Sequence, residues 1–326
     1  MRSNTTYRLE ILTFHRLIEE DKKYFIPPMA VSLPTFTHLM ERLAKTRQVV
    51  ELGDATDRIR AGEFRGRAVA VTFDDGYRDC FDFAKDTLKR VGIPATFFIP
   101  FRQIENGEPF WWDYLFTMVR KDPESFSTWV KGTGMPYAPK RLMTKGASLK
   151  EPLELYCQRV VQWANSLNLS KREDFIKGFS TEFGPYDGER KLMNWEEIVQ
   201  LKKDGFSIGS HAMEHIKLTE LNTGQAKAEI QDSREILTRK VGSKIEGFSY
   251  PVGGWNKMLS QIVAQAGYSY AVTTRFESNT DKCNLYALAR RNISDYQGIR
   301  SYFPVVMHLL EITGLLDKVL TKRRSR

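Results

Sequence analysis

The sequence predicts an α/β fold in which parallel strands alternate with helices lying outside the sheet. Three observations carry this. Short apolar runs rich in β-branched and aromatic residues recur along the chain, separated by longer segments with helical spacing. Hydrophobic residues make up 41% and charged residues 27% of the 326 positions, which is enough to bury a core and excludes disordered and disulfide-scaffold classes. Finally, some of the apolar runs end directly in carboxylates or imidazoles, and the carboxyl ends of strands are where α/β folds gather their chemistry.

Taken in order, strands are expected at Leu9–Phe14, Ala68–Phe73, Ala95–Ile99, Phe206–Gly209, Gly247–Tyr250 and Tyr268–Thr273. Phe36, Leu39, Met40 and Leu43 sit at helical spacing after the first. Phe83, Leu88 and Val91 do so less regularly after the second, and Ile230, Ile236 and Leu237 mark a long charged helix over about 223–240. The alternation argues for a parallel sheet, closed or wound. Residues 101–193 are too many for an ordinary connection. They hold Trp111, Trp112, Trp129 and Trp163, and they space Leu153, Tyr156, Val160, Val161 and Ala164 as a helix does. This stretch reads as an inserted helical segment whose aromatics form a small core. The organisation expected is a sheet domain over 1–302 carrying that insertion, followed over 303–326 by an amphipathic helix (Leu309, Ile312, Leu316, Val319, Leu320) and a basic tail.

The chain carries 49 basic and 40 acidic side chains, a formal charge of +9, but five of the basic ones fall in the last nine residues, KVLTKRRSR. The rest is close to balanced, so no nucleic-acid-binding surface is expected. The tail suits a solvated end or a peripheral contact with an anionic membrane. Cys80, Cys157 and Cys283 are scattered and form no CxxC pair, which fits a reducing compartment. With no signal-like N-terminal run and no stretch of about 18 apolar residues, the expectation is a soluble, cytoplasmic protein.

The first chemical feature is AVAVTFDDGY, residues 68–77, where a strand apolar on both faces runs into Asp74 and Asp75. An Asp-Gly pair alone usually marks a turn. At the end of a buried strand, however, adjacent carboxylates point opposite ways and acquire different partners and acidities. The second is GFSIGSHAMEH, residues 205–215, with His211 and His215 four apart. On a helical turn that spacing puts both imidazoles on one face, and an aspartate from another strand end completes a two-histidine, one-carboxylate metal site with open positions. The third is IEGFSYPVGGWN, residues 245–256, whose glycines let backbone approach a ligand.

VTFDDGY, GIPATFFIP, GSHxxxH, FSYPVGG and AGYSYAVTT, in this order, resemble the polysaccharide deacetylases of carbohydrate esterase family four, which share the chitooligosaccharide deacetylase homology domain. The resemblance runs over about residues 9–295 apart from the insertion, and ILTFHRLIEED at the start resembles the exopolysaccharide branch. It implies a distorted (β/α) barrel of about seven parallel strands and metal-dependent removal of N-acetyl groups from a glycan. By the same resemblance Asp74 is the general base, and Asp75, His211 and His215 hold one divalent cation, zinc first, with Co2+, Ni2+ or Fe2+ as alternatives. Two positions depart from the family pattern. Ala212 stands where Ser or Thr is usual, and Ser249 stands where many members carry a base-orienting arginine, a charge Arg290 is placed to supply. The Tyr77 N–H is a candidate oxyanion donor, and Tyr250, Pro251, Trp255 and Arg290 are candidate substrate contacts.

Amide hydrolysis also needs a proton donor for the departing amine. His15 ends the first strand and, by the resemblance to the exopolysaccharide branch, takes that role in preference to His308. The competing expectations are a C–N hydrolase of a small amide or cyclic ureide on the same scaffold, and a catalytically silent glycan-binding protein.

Overall fold

The computed structural model describes residues 7–19, 29–135 and 153–295. His308 and the amphipathic helix and basic tail expected over 303–326 lie outside these. The described residues divide into two compact units, one built on the sheet and one spanning 107–191.

In the sheet unit the chain opens with β1 (Tyr7–Phe14), turns at His15 and continues into β2 (Arg16–Ile18), which pairs in parallel with β3 (Ala30–Ser32). Helix α1 (Leu33–Thr46) starts where the Ser32 side chain accepts the Thr35 N–H, and Pro34 occupies its first turn. It buries Phe36, Leu39, Met40 and Leu43, the residues whose spacing predicts it. Then follow β4 (Gln48–Val49), α2 (Leu52–Arg60), β5 (Gly66–Phe73), a π turn at Cys80–Ala84, α3 (Lys85–Val91), β6 (Ala95–Ile99) and α4 (Phe101–Asn106).

After the second unit, the sheet unit resumes with α9 (Trp195–Lys203), β7 (Ser207–Ser210), α10 (Thr223–Val241), β8 (Gly247–Ser249), α11 (Lys257–Gln265), β9 (Tyr270–Val272) and β10 (Arg291–Asn292). Both α9 and α10 begin with full capping boxes, Asn194 with Glu197 and Asn222 with Gln225. Among the described residues, no helix is long and apolar enough to cross a membrane.

The main sheet runs β10-β1-β5-β6-β7-β8-β9, with β4 beside β5, and all its pairings are parallel. All six expected strands are in it. The sequence gives no sign of β10, because a two-residue strand of Arg and Asn carries no hydrophobic period. Yet this segment joins the two ends of the sheet. Leu288 pairs with Val272 of β9, and three residues later Arg291 pairs with Leu12 of β1. The result is a distorted (β/α) barrel. Leu9, Ile11, Ala68, Ala70, Phe98, Tyr270, Val272 and Leu288 belong to one buried cluster, each large side chain contributing about 1.5–3 kcal/mol by burial.

Register brings the strand ends level. Phe14 pairs with Phe73, so the Asp74 N–H continues the ladder to the Phe14 carbonyl at 3.0 Å. Ile99 pairs with Ser210, and the His211 N–H reaches the Ile99 carbonyl at 2.9 Å. His15, Asp74 and His211 therefore leave the barrel at the same end.

The second unit contains α5 (Trp111–Lys121), α6 (Pro123–Lys131), α7 (Leu153–Ser166) and α8 (Leu169–Phe183). Its buried residues include Leu115, Phe126, Tyr156, Val160 and Phe179, with Trp111, Trp129 and Trp163 packed against them. These tryptophans pack against a small core, as expected of the insertion's aromatics. Phe101–Asn106, Leu192 and Met193, which the sequence reading puts in the insertion, belong with the sheet unit instead.

Candidate active site

Phe73 is the last residue of β5, and the chain then bends sharply. Asp75 takes a left-handed φ of 72° and Gly76 one of 68°. Ala212 (66°) and Val252 (57°) complete the non-glycine positive-φ residues among those described, and each follows a strand end. Clustered strain of this kind marks a site whose side chains are held against local preference. Gly253 contributes in another way. A Cβ there would lie 1.9 Å from Thr274 Oγ1, so only glycine lets the Pro251–Gly253 turn sit against the β9 loop.

Asp75 and His211 are buried and His215 is half-buried. Asp75 Oδ1 lies 3.3 Å from Nε2 of His211 and 3.3 Å from Nε2 of His215. Residues 211–215 are not the helical turn expected from the spacing. The left-handed Ala212 breaks any helix there, and a bend brings the two rings to 5.0 Å between centroids instead. His211 Nδ1–H donates to the Ser249 carbonyl at 2.8 Å, which leaves Nε2 as the ring's lone-pair nitrogen. Asp75 Oδ1 is buried without a hydrogen-bond partner. One oxygen and two nitrogens thus lie together, with ligand atoms within 4.8 Å of one another. This donor set fits one divalent cation. Burial opposes the charge on Asp75, but the facing His211 and His215 outweigh it and hold the carboxyl well below the usual range. His211 is raised, since Asp74 and Asp75 overcome the effect of burial.

Asp74 points to different partners, as adjacent residues at a strand end should. Arg290 grips it with both arms, Nη1 to Oδ1 at 2.8 Å and Nη2 to Oδ2 at 2.6 Å, and Ser249 Oγ donates to Oδ2 at 3.1 Å. The arginine is itself fixed by Nε–H to the Thr273 carbonyl at 2.9 Å. Burial pushes the Asp74 carboxyl up, yet the Arg290 charge and then His211 bring it below the ordinary value. The segment that closes the barrel therefore supplies the guanidinium that position 249 lacks. The missing hydroxyl at Ala212 has no replacement on that side chain; the Ala212 N–H donates instead to Ser210 Oγ at 3.2 Å.

His15 is half-buried beside these groups. Burial lowers its pKa, opposed by Asp75 and Asp74, and its Nδ1 is buried with no hydrogen-bond partner. Its backbone is tied to the segment after Asp75 through the Cys80 thiol on its carbonyl (3.2 Å), and Asp79 accepts the Leu17 N–H (3.1 Å) and Arg16 Nε (2.5 Å). Tyr77 is buried under the Arg16 guanidinium, 4.1 Å from its ring centroid.

Tyr250 is fully buried; its hydroxyl donates to the Tyr286 carbonyl (2.9 Å) and its N–H to the Val272 carbonyl (3.1 Å), so it braces the loop after β8. Pro251 is buried at the start of the turn. Trp255 is half-buried with the Arg275 guanidinium 5.0 Å from its ring centroid.

In the sequence Glu229 of α10 looks like any other charge on a charged helix. It accepts the Glu214 N–H at 2.8 Å and so holds the loop between the two histidines. Burial, with Glu214 nearby, pushes its carboxyl up to about 6. A folded-state value above the unfolded one of about 4.3 means that the fold holds the proton more tightly. Stability from this group is complete below about pH 4 and lost as pH rises through 6. Glu229→Gln should therefore gain on the wild type at pH 7 by on the order of 1 kcal/mol, and lose that advantage at pH 4. Urea unfolding at the two pH values checks this; an unchanged difference would contradict it.

The profile of the polysaccharide deacetylase family matches residues 61–128 and 178–271, across the strands that carry Asp74, Asp75, His211 and His215. The chain belongs to the polysaccharide deacetylase family. Within it, YxkH of Bacillus subtilis (strain 168) is 28% identical over 107 residues, a match taking in 33% of this chain and 38% of that relative's length. Among solved structures, the Streptococcus pyogenes deacetylase PplD in complex with acetate superposes with a TM-score of 0.60 at 15% identity, covering 92% of this chain and 99% of that one. IcaB from Ammonifex degensii gives 0.55 at 17%, covering 93% and 97%. At such identities these two speak for the fold of this deacetylase-family chain.

Proposed function

We propose that the protein removes N-acetyl groups from an N-acetylated polysaccharide or oligosaccharide by cation-assisted hydrolysis. The observation that carries this is the convergence of Asp75, His211 and His215 beside a second carboxylate, Asp74, that Arg290 keeps ionised. A divalent cation held by those three residues, zinc first and cobalt, nickel or iron(II) next, would polarise the acetyl carbonyl and acidify a water.

Asp74 is the base. Ionised at neutral pH, it accepts a proton as the water oxygen bonds to the carbonyl carbon. Arg290 and Ser249 hold its carboxylate in one orientation, so no reorganisation is needed at that moment. Tyr77 follows the carboxylates directly, and its backbone N–H is the candidate donor to the developing oxyanion. The C–N bond then breaks, and the nitrogen must take up a proton to leave as an amine. His15 is the donor at that atom, receiving over the cycle the proton that water gave up. Trp255 supplies an aromatic face for a sugar ring.

Acetate release from N-acetylated oligosaccharides of defined length, set against small amides and cyclic ureides, tests the reading. Release from the oligosaccharides is expected. Turnover of a ureide or small amide alone would make the chain a different C–N hydrolase, and oligosaccharide binding without turnover would make it a binding protein.

His15→Ala should lower kcat by about 10²–10⁴ with the cation retained, whereas His308→Ala should change it little. Metal content and kcat measured together decide this, and the reverse pattern would move the acid to the C-terminal segment.

A further inference from the structure

Ser249 is fully buried at the end of β8, and its two polar groups serve different halves of the site. Its carbonyl accepts His211 Nδ1–H at 2.8 Å, which orients a metal ligand. Its hydroxyl donates to Asp74 Oδ2 at 3.1 Å and accepts from Arg290 Nη2 at 3.0 Å, which orients the base. The backbone beneath is pinned on both sides, Phe248 to Ser210 of β7 and Ser249 to Val272 of β9.

We propose that Ser249 is a positioning residue that fixes the base relative to the metal ligand His211. The inference rests on the reading of Asp74 as the base. Ser249 touches no reacting atom, so it acts only through its neighbours. Its small size matters as much as its hydroxyl. The Arg290 fork arrives from the barrel-closing segment within 3.0 Å of Oγ, so a long side chain at 249 would compete with it for the same space. Without the hydroxyl, the hydrogen bond between Nη2 and Asp74 Oδ2 is the one that remains to both atoms. With the guanidinium still tied to the Thr273 carbonyl, the loosened edge is Oδ2, the one that faces His211 Nε2 at 4.0 Å. Thr72 Oγ1 does not compensate, since it meets Nη1 at 3.3 Å on the other arm.

Ser249→Ala deletes the hydroxyl and leaves the carbonyl. Losing a hydrogen bond to a buried charge should lower kcat roughly 10–100-fold, with KM and zinc affinity, measured by chelator competition, unchanged. Ser249→Cys, close in shape but a poor donor, should fall with it. In an Asp74→Asn background the same substitution should have little further effect on residual turnover, because the residue it acts through is already disabled. Three results would overturn the proposal: an unchanged kcat, a zinc affinity that falls in step with kcat, or an undiminished loss in the Asp74→Asn background. Should the wild type release no acetate at all, the reading of the reaction fails separately. The Ser249–Asp74 link is then still decided by a double-mutant cycle in urea unfolding of the same variants, where purely additive effects would refute it.

Discussion

Asp74→Asn should abolish nearly all acetate release, by about 10²–10⁴ in kcat, while the protein keeps its cation. Asparagine preserves the shape and, through its one carbonyl oxygen, can still accept from one Arg290 arm and from Ser249, but it cannot take a proton from water. The ligand atoms on Asp75, His211 and His215 are untouched by the change. His211→Ala gives the complementary result. It removes one of two nitrogen ligands and the hydrogen bond to the Ser249 carbonyl, so metal content and turnover should fall together. Metal analysis and initial rates on both variants separate the roles. An Asp74→Asn protein that retained wild-type turnover would remove the base assignment, and one that lost its metal would place Asp74 among the ligands.

Arg290→Met should be among the most destabilising single substitutions in the barrel, costing about 3–5 kcal/mol. Arg290 and Asp74 are 2% and 3% exposed, and the arginine is the principal charge compensating the carboxylate. Removing it leaves the effect of burial on Asp74 less opposed, so the carboxyl pKa rises and the fold favours the protonated form. The sign follows from that. In the wild type the lowered Asp74 value contributes stability above about pH 4 that is lost on acidification. In the variant the folded value is raised, so the deficit against wild type should be small at pH 4 and grow toward neutrality. Asp74→Asn in the same chain should recover part of the loss by deleting the stranded charge. Urea unfolding across pH for the single and double variants checks this, and a deficit independent of pH would mean that packing rather than charge is at stake.

Much of this architecture was legible in the residues, and the failures have physical causes. Each of the six forecast strands is a short run of buried apolar residues, and buried runs announce themselves; β5 ends at Phe73, where the reading of residues 68–73 ends it. The strands that escaped are two or three residues long and include polar residues such as Arg16, Ser32, Gln48, Arg291 and Asn292, so no apolar run marks them. β10 was the costly omission, because Arg290 enters the site through that closing segment. The adjacent arginines of LARRNIS nevertheless allowed the charge to be suspected. The proximity of His211 and His215 was legible from their spacing, while its geometry was not, since a left-handed Ala212 is invisible in a residue string. The bracing of the loop by Tyr250 was not legible either, because its partner is the Tyr286 backbone carbonyl. The contacts of His211 with the Ser249 carbonyl and of Glu229 with the Glu214 N–H involve backbone groups, which leave no mark on side-chain chemistry.

The central claim is that one cation, held by Asp75, His211 and His215 beside an ionised Asp74, is needed to release acetate from a glycan. Stepwise return of zinc to chelator-treated wild-type protein, with bound metal and acetate release from an N-acetylated oligosaccharide followed in the same samples, tests it most directly. The account predicts negligible release from the stripped protein and a rate that climbs with bound metal, levelling at about one equivalent per chain. Undiminished release from protein without metal would contradict it.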